Sequence, residues 1–458
     1  MINNGTIAAI ATPPGKGGVA LIRISGEDAF RIADACFCPA NRTKNLSSYP
    51  PRTAVRGDVV LEGEHIDDGL AYLFPAPHSY TGEDTVEICC HGGLLVTRTV
   101  LEACLAAGAR MAEAGEFTRR AYLNGKLSLS EAEAIGDLLE ATSRGQIKLS
   151  SRESRSKLSF VLGTLYEELV LLLSTLYAAI DYPEEDLAGL SNEELLLRLQ
   201  TLMSKISALC ATYRTGRTIT EGIVTTICGK PNVGKSSLYN LLSCEDAAIV
   251  TDIAGTTRDV LERTVALGDI TLRLFDTAGL RETQDTVERI GVERSLEKLA
   301  GSELIFAVFD GSSPLTQEDL ELIARLKNVE GTVIAIINKA DLPRRDMQEV
   351  ESAFEHIVTM SCKESDSRAL ESLVKDLFTD GSIRIGYDAI VSSARQYAAL
   401  TRAKELIAST ISALESGLPA DVASSDLELA LSALSELDGR AVSENIVSSI
   451  FSHFCVGK

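Results

Sequence analysis

The spacing of hydrophobic residues divides this chain into regions of different secondary structure. Near the N-terminus, short apolar segments with strand spacing occupy Thr6–Ala11, Val19–Ser25 and Thr85–Cys90, and a helical repeat follows over Leu94–Ala107. From about residue 128 to Arg214, and again after residue 382, apolar residues recur at helical spacing. The pattern predicts a mixed α+β domain at the N-terminus and helical regions on both sides of a different central region.

The central region alternates short apolar runs with helical segments. The runs lie at Ile223–Cys228, Thr271–Phe275, Leu304–Phe309, Val333–Ile337 and Ile357–Met360. Such alternation predicts a mostly parallel sheet with helices on both faces, and ligands bind such sheets beyond the carboxyl ends of the strands. The expected fold class is therefore multidomain α/β.

Because helical segments flank the central region, the simplest arrangement is one helical domain, discontinuous in sequence, with an α/β domain inserted into it. The expected segments are an N-terminal domain at 1–122, helical parts at 123–219 and 382–458, and the inserted domain at 220–381. The pattern S-x-x-E, which is typical of a helix capping box, predicts helix starts at Ser130, Ser191 and Ser425.

Composition and charge exclude some classes of protein. A chain of 458 residues has room for about two to four domains, and 45% hydrophobic with 24% charged residues is usual for a globular protein. A net charge of −21 argues against a protein that coats nucleic acid through its own basic surface. Ten cysteines without a C-x-x-C pair indicate reduced thiols, and Cys36-x-Cys38 lacks a second ligand pair for a metal.

No export or membrane segment is expected. The first residues lack the basic region and apolar core of a signal peptide. The most apolar helical run, Leu169–Ile180, has about a dozen residues, whereas a bilayer span needs about 20. We therefore expect a cytoplasmic protein.

The segment Gly229–Ser236 reads GKPNVGKS, which fits G-x-x-x-x-G-K-S between a predicted strand and a predicted helix. Its glycines allow backbone N–H groups to curl around phosphates at a helix N-terminus. Lys235 is expected to reach the β- and γ-phosphates, and Ser236 to ligate Mg²⁺. The alternative, a chance match in a glycine-rich turn, does not account for the strand before it and the helix after it.

A second phosphate-side motif, Asp276–Gly279, ends a later strand as a D-x-x-G element does. Asp276 can hold Mg²⁺ through water, and the Gly279 N–H can sense the γ-phosphate. Thr257 lies between the two motifs, where a switch threonine would close on Mg²⁺. Loss of the γ-phosphate would release both segments.

Base selection is assigned to Asn338–Asp341, which reads NKAD. The carboxylate of Asp341 can accept two N–H bonds from the Watson–Crick edge of guanine, a pair that adenine lacks, and the stem of Lys339 can cover the base. Ser361–Lys363 ends the last strand and resembles an S-A-K base-contacting loop, with Cys in place of Ala. Four motifs in this order, each at a strand end, indicate a guanine-specific P-loop GTPase.

The group that orients the attacking water does not follow from these motifs. Ras-like enzymes place a Gln after D-x-x-G, but Leu280 occupies that position, and Glu282 is the nearest candidate. The alternative interpretation of Glu282 is a solvated charge at a helix start. No arginine finger is identifiable in the sequence, and Asn232 beside the phosphates is a candidate ligand for a monovalent cation.

Motifs outside the GTPase region indicate a family. They are Gly17-Gly18, Arg23–Gly26, Tyr80–Asp84, His91–Gly93, Gly115–Thr118, Asn124–Lys126, Thr251–Asp259 and the terminal Cys455–Lys458. With them the chain, from Thr6 to Lys458, resembles the MnmE (TrmE) family of tRNA-modifying GTPases, in the TrmE-Era-EngA-YihA-Septin-like superfamily. The resemblance implies an N-terminal α+β folate-binding domain, an all-helical domain and an inserted Ras-like G domain.

The resemblance also implies a function. Family members work with MnmG, a flavoprotein that holds FAD and uses NADH. Together, as a heterotetramer, they install an aminomethyl or carboxymethylaminomethyl group on the wobble uridine of certain tRNAs. A methylene- or 5-formyl-tetrahydrofolate carries the one-carbon unit, and K⁺ takes the place of an arginine finger. The N-terminal domain makes a homodimer, and the G domains dimerise transiently across GTP.

The GTP site of the family maps onto this sequence motif by motif. Mg²⁺ would be held at Ser236 and Thr257, and Glu282 matches the catalytic glutamate. K⁺ would be held at Asn232 and at the main chain of Thr251, Ile253 and Thr256. Contacts with GTP would come from Asn232, Val233, Gly234, Lys235, Ser236, Ser237, Thr251, Asp252, Ile253, Ala254, Gly255, Thr256, Thr257, Asp276, Thr277, Ala278, Gly279, Asn338, Lys339, Asp341, Ser361, Cys362 and Lys363.

Four residues match positions that the family associates with folate, namely Arg23, Glu83, Lys126 and Lys458. Cations suit the carboxylates of folate, and an acid suits the N–H groups of its pterin. Without the family match, each would be interpreted as a surface charge. Cys455 is a candidate for chemistry, because a thiolate near Lys458 is plausible, and packing is its alternative role.

The acidic charge implies that MnmG supplies much of the tRNA-binding surface. A local contribution would come from Arg144, Lys148, Arg152, Arg155 and Lys157, although a solvated helix face is the favoured interpretation of this spacing. The competing hypothesis is a regulatory GTPase switch that docks a ribosomal or other partner without modification chemistry. The N-terminal motifs and the terminal C-x-G-K favour the modification enzyme.

Overall fold

The structure is a computed structural model that describes most of the chain. The described residues are 5–181, 192–244, 262–275, 301–364, 366–418, 420–438, 450–451, 454 and 456–457. The chain divides into two compact units, Met1–Gly136 with Ser435–Lys458, and Asp137–Leu434. Each unit is built around a β-sheet.

The first unit holds a seven-stranded sheet, four α-helices and a short 3₁₀ helix, Leu46–Ser48, among its described residues. The strands are β1 (Ile7–Ile10), β2 (Val19–Ser25), β3 (Phe37–Pro39), β4 (Ala54–Leu61), β5 (Glu64–Phe74), β6 (Thr85–His91) and β7 (Arg110–Met111). The helices are α1 (Ala29–Cys36), α2 (Leu94–Ala106), α3 (Glu116–Leu123) and α4 (Leu129–Glu140), which continues into the second unit. The strand order is β3-β4-β5-β6-β2-β1-β7, with antiparallel pairing except between β1 and β7.

Strand β2 shows how side-chain alternation gives this sheet two different faces. Ile22 and Ile24 are fully buried in the core that also holds residues of α1 and α2. Arg23 and Ser25 point to the opposite face, because successive side chains of a strand alternate. Cross-strand pairing places Arg23 beside Glu87 of β6. The polar residues of this strand therefore share the face that lies away from the main core.

The last described residues of the chain belong to the first unit. Val456 forms an antiparallel bridge with Ala114. Gly457 has a φ of +104°, and a Cβ there would lie 2.2 Å from the carbonyl oxygen of Ile10. Phe451 is buried in a small cluster with residues of α4. The two ends of the sequence therefore meet in one structural unit.

The second unit combines long helices with a six-stranded sheet. Its helices are α5 (Arg144–Leu149), α6 (Arg152–Asp181), α7 (Asn192–Ala211), α8 (Tyr213–Thr220), α9 (Lys235–Cys244), α10 (Gln317–Leu326), α11 (Gln348–Ala353), α12 (Arg368–Phe378), α13 (Ala394–Glu415) and α14 (Ala420–Asp438). Its strands are β8 (Ile223–Cys228), β9 (Glu262–Leu267), β10 (Ile270–Phe275), β11 (Leu304–Asp310), β12 (Thr332–Asn338) and β13 (His356–Thr359).

The six-stranded sheet has the order β13-β12-β11-β8-β10-β9, and only β9 pairs antiparallel among its described strands. Alternate side chains of strand β11 pack into two different hydrophobic cores, one on each face of the sheet. Phe306 and Val308 pack into a core that includes residues of α9 and α12. Ile305 and Phe309 pack into a separate core with residues of α10 and α11. This confirms the predicted parallel sheet with helices on both faces.

Helices that precede the six-stranded sheet in the sequence pack against helices that follow it. Helix α7 contacts α6, which precedes the sheet, and α13, which follows it. Its buried positions recur every three or four residues and form one apolar stripe. They are Leu195, Leu199, Leu202, Ile206 and Leu209. The predicted helical domain that is discontinuous in sequence is therefore confirmed.

Helix α6 is long and apolar enough over Glu153–Ala178 to cross a membrane, judged by length and composition alone. The apolar run of about a dozen residues expected from the sequence is therefore too short. A third of the 18-residue apolar stretch within it is buried, and Glu168 of α6 forms an ion pair with Lys205 of α7 at 2.5 Å. A single such helix among the described residues is weak evidence for a membrane, because the core helix of a soluble protein can be equally long and apolar.

Two of the predicted capping boxes are wrong in position, and the third, at Ser191, lies outside the described residues. Helix α4 is capped by Ser128, whose Oγ accepts from Glu131 N at 3.2 Å while its own N–H donates to the Glu131 carboxylate at 2.8 Å. Ser130 instead donates to the carbonyl oxygen of Leu437 at 3.0 Å. Ser425 lies inside α14, which begins five residues earlier at Ala420.

Candidate nucleotide-binding site

The phosphate loop connects β8 to α9 at the carboxyl edge of the six-stranded sheet. Asn232 and Gly234 have φ values of +63° and +105°, so the loop turns through left-handed conformations before Lys235 opens the helix. The Lys235 ammonium donates to the carbonyl oxygens of Gly229 at 2.7 Å and Lys230 at 2.8 Å. The lysine therefore folds back over the loop in which the sequence predicts the phosphates.

Asn338, at the end of β12, connects the phosphate loop to the loops that are predicted to recognise the base. The residue is 3% exposed. Its Nδ2 donates to the carbonyl oxygen of Val233 at 2.8 Å, and its Oδ1 accepts from the backbone N–H of Cys362 at 3.1 Å. A Cβ on Gly234 would lie 2.0 Å from that Nδ2. One buried amide thus joins three sequence motifs.

Lys339 follows in a left-handed conformation, with a φ of +65°. Its ammonium donates to Asp310 Oδ2 at 2.6 Å. Burial raises the pKa of Asp310, but hydrogen bonds from Lys339 and Ser312 lower it by more. The resulting pKa is about 2. Since folding lowers this pKa from 3.8, the pair stabilises the fold above that pH, and the contribution is lost as the pH falls toward 2.

Asp341 is exposed at the mouth of this site, and Ser361 behind it is buried. The Ser361 hydroxyl donates to Asp341 Oδ1 at 2.7 Å. This hydrogen bond lowers the pKa of Asp341, although the slight burial of the carboxyl group opposes it. The carboxylate is therefore ionised and oriented near neutral pH. Cys362 is buried in the core, where burial raises the pKa of its thiol to about 11.

Several predicted site residues lie outside the described residues. They are the switch segment Thr251–Thr257, the D-x-x-G element Asp276–Gly279, Glu282, Cys455 and Lys458. Among the described ones, Ser236 and Ser237 are exposed in the first turn of α9, and Lys363 is exposed beside Cys362. The described site therefore consists of the phosphate loop and the two base loops.

A second group of predicted residues lies on the polar face of the first unit's sheet. Arg23 donates through Nε to Glu87 at 2.7 Å. Its guanidinium lies over the rings of Tyr80, at 5.4 Å, and Phe117, at 5.5 Å, which is the geometry of a cation–π contact. The sequence alone assigned no role to Glu87 or to the two rings.

Glu83 is held by groups to which the sequence alone assigned no individual role. Its carboxylate accepts from Ser25 Oγ at 2.9 Å and from Arg120 Nη1 at 3.0 and 3.2 Å. Arg120 is 4% exposed and donates also to Glu116 at 2.9 Å. Glu116 in turn accepts from Arg110. The carboxylate of Glu83 is thus the end of a line of alternating charges that fixes its orientation.

Lys126 lies next to the segment that carries Glu83. Its ammonium donates to the carbonyl oxygen of Pro77 at 2.9 Å. Gly82 has a φ of +80°, and a Cβ there would lie 3.3 Å from the Lys126 side chain. Asn124 donates to the carbonyl oxygen of Thr81 at 2.7 Å. Two motifs that are far apart in sequence therefore meet at this point.

Two of the five basic residues that were considered for tRNA binding, Lys148 and Lys157, form contacts inside the second unit. Lys148 donates to the carboxylate of Asp269 at 2.8 and 3.0 Å. Lys157 donates to Glu153 at 3.3 Å and to the carbonyl oxygen of Tyr387 at 2.6 Å. These contacts favour a structural interpretation of both lysines over a role in binding tRNA.

Comparison with known proteins assigns the chain to a family. Residues 6–126 match the model of the GTP-binding protein TrmE N-terminus, and residues 129–455 match that of the MnmE helical domain. The chain belongs to the MnmE family. The resemblance inferred from the motifs is therefore confirmed, and with it the enzyme class, a GTPase that binds GTP.

Full-length relatives agree with this assignment. A protein named tRNA modification GTPase MnmE from Thermotoga maritima is 40% identical over 460 residues, which cover 99% of this chain and 100% of the relative. One of the same name from Bacillus cytotoxicus is 41% identical and covers 99% of each. A variant of Era from Aquifex aeolicus bound to GDP·AlF4⁻ is 24% identical, with a TM-score of 0.27, and covers 40% of this chain and 66% of that one.

Proposed function

We propose that this protein hydrolyses GTP within a tRNA-modification system and that a flavoprotein of the MnmG type is its partner. The observation that carries the proposal is the convergence of the phosphate loop and both base loops on Asn338, in a member of the MnmE family. The names of the relatives point to tRNA as the substrate. The product is an aminomethyl or carboxymethylaminomethyl group on the wobble uridine.

Two cations complete the GTP site in this proposal. Ser236, exposed at the start of α9, ligates Mg²⁺ together with Thr257. Asn232, exposed in a left-handed turn two residues before Gly234, supplies an amide oxygen to K⁺, and the main chain at Thr251, Ile253 and Thr256 supplies the rest. The K⁺ ion stabilises charge that develops on the phosphates, and Glu282 orients the attacking water.

The polar face of the first unit is the proposed folate site. The carboxylate of Glu83, fixed by Ser25 and Arg120, accepts N–H groups of the pterin. The guanidinium of Arg23 and the ammonium groups of Lys126 and Lys458 suit the carboxylates of the glutamate tail. A tetrahydrofolate bound there supplies the one-carbon unit, while the flavin and NADH belong to the partner. The role of Cys455 stays open between chemistry and packing.

GTP turnover in K⁺ and in Na⁺ buffer, at equal ionic strength, tests the GTPase mechanism. Because an arginine finger accelerates GTPases by about 10³-fold or more, a cation in its place predicts turnover at least about tenfold faster in K⁺. Asn232→Ala is expected to lose this stimulation, whereas Asn328→Ala, at an exposed Asn of the same sheet domain, keeps it. Dimers of the G domain are expected only with GDP and aluminium fluoride. Equal rates in both salts would remove K⁺ from the mechanism.

Binding of tetrahydrofolate to the full chain separates the modification enzyme from a regulatory switch. Calorimetry is expected to show binding by the wild type. Glu83→Gln is expected to weaken it by about tenfold or more, because hydrogen bonds to a charged group contribute about 1.5–3 kcal/mol. The exposed Glu102 provides the matched control, Glu102→Gln. No binding by the wild type would favour the switch that docks a ribosomal or other partner.

The remaining parts of the proposal concern assembly and location. The first unit makes a homodimer, the G domains pair transiently during hydrolysis, and two copies of each protein form a heterotetramer with the partner. The net charge of −21 leaves much of the tRNA-binding surface to that partner. The protein works in the cytoplasm.

A further inference from the structure

The second residue of the phosphate loop, Lys230, occupies a position that the G-x-x-x-x-G-K-S pattern leaves open. Its ammonium donates to Asp319 Oδ2 at 2.6 Å and to Thr316 Oγ1 at 3.3 Å. The side chains of Lys230 and Asp319 are 17% and 1% exposed. This pair is therefore a buried contact between the phosphate loop and the start of α10, unlike the exposed ion pairs that contribute little to stability.

The acceptor of this contact is itself fixed. Asp319 Oδ2 accepts from the backbone N–H and the hydroxyl of Thr316, both at 2.8 Å, and the N–H of Asp319 donates to the Thr316 carbonyl at 3.0 Å. Its other oxygen, Oδ1, is buried and has no hydrogen-bond partner among the described residues. A carboxylate in this position needs the charge of Lys230, because an unpaired buried charge is strongly unfavourable.

The main chain of the same residue contacts the phosphate-binding lysine. The Lys230 carbonyl oxygen accepts from Lys235 Nζ at 2.8 Å, while its side chain reaches α10. On its other side the loop is held by Asn338 through Val233. These contacts hold the loop at two places. Asn338 holds it at Val233, and α10 holds it at Lys230.

We propose that Lys230 is a positioning residue that holds the phosphate loop in its nucleotide-accepting conformation through Asp319. A loop that is already ordered loses less conformational freedom when it binds a phosphate, so preorganisation appears as affinity. Bound phosphates supply their own hydrogen bonds to the loop, so the contribution of Lys230 is largest before binding. The expected signature is a change in affinity and KM that exceeds the change in kcat.

The test compares Lys230→Met with the wild type in the full-length protein. The affinity for fluorescent mant-GDP is expected to fall by about threefold to tenfold, because the loop must then be ordered as the nucleotide binds. The KM for GTP should rise by a similar factor, and kcat should fall by less. Lys230→Arg, which keeps the charge, should restore most of the affinity, and Asp319→Asn should weaken binding as Lys230→Met does.

The control is Lys327→Met, at an exposed lysine directly after α10, which should bind mant-GDP as the wild type does. Thermal unfolding followed by circular dichroism accompanies each variant. If Lys230→Met cannot be purified folded, Lys230→Gln carries the same test, because it keeps a donor without the charge. The proposal is overturned if the folded variant binds mant-GDP within twofold of the wild type, or if kcat falls more than KM rises.

Discussion

Asp341→Asn is expected to reverse the base preference of this protein from guanine to xanthine. The Asp341 carboxylate accepts the hydroxyl of Ser361 at 2.7 Å on Oδ1, and this bond holds it in place and lowers its pKa. An ionised carboxylate pairs with two N–H groups of guanine. Xanthine carries an oxygen in place of the exocyclic amine, and the amide of Asn can donate to that oxygen.

Hydrogen bonds to charged groups contribute about 1.5–3 kcal/mol each, so losing two should weaken GTP binding by at least about 100-fold. Competition of GTP and XTP against mant-GDP measures the change. The control is Asp376→Asn, at an exposed Asp of α12 in the same domain, which should leave the preference untouched. A variant at Asp341 that still prefers GTP would contradict the assignment of this carboxylate to the base.

Gly234→Ala is expected to lower the affinity for guanine nucleotides strongly, because it disturbs the phosphate loop and the base loops at once. The glycine has a φ of +105°, and the new Cβ would lie 2.0 Å from Asn338 Nδ2. Strain of the backbone costs about 1–3 kcal/mol, and displacing a buried amide that makes two hydrogen bonds costs about 1–3 kcal/mol more.

The affinity for mant-GDP should therefore fall by at least about 30-fold, and the thermal unfolding temperature should also fall. Gly381→Ala provides the matched control, because a Cβ at this exposed glycine meets nothing within 4 Å. If Gly234→Ala retained binding close to that of Gly381→Ala, Asn338 would not be the group that joins the three motifs.

Local patterns were enough to predict most strands of the six-stranded sheet. Ile223–Cys228 was predicted with its observed bounds, because a continuous apolar run ends at the glycine of a recognisable loop. The edge strand Glu262–Leu267 was not predicted, nor was the long hairpin of β4 and β5 in the first unit. Those segments mix polar residues with apolar ones, and hydrogen bonds to neighbouring strands decide their conformation.

The candidate sites were also predicted only in part. The sequence predicted a role for Glu83 but none for Arg120, because an Arg four residues after Glu116 has the spacing of an ordinary exposed helix pair. Only packing shows that both are buried and that they orient Glu83. Likewise two overlapping S-x-x-E patterns compete at the start of α4, and the carbonyl oxygen of Leu437 engages Ser130 and leaves the cap to Ser128.

The sequence alone was therefore enough to predict which residues carry the chemistry of guanine nucleotides and the order of the domains that hold them. Such motifs are short and local, so each can be interpreted from adjacent residues. The tertiary structure decided which distant groups hold those residues in place, as Asp319 holds Lys230 and Asn338 holds Val233. These contacts join segments about a hundred residues apart, and their burial, which makes them strong, exists only once the chain has folded.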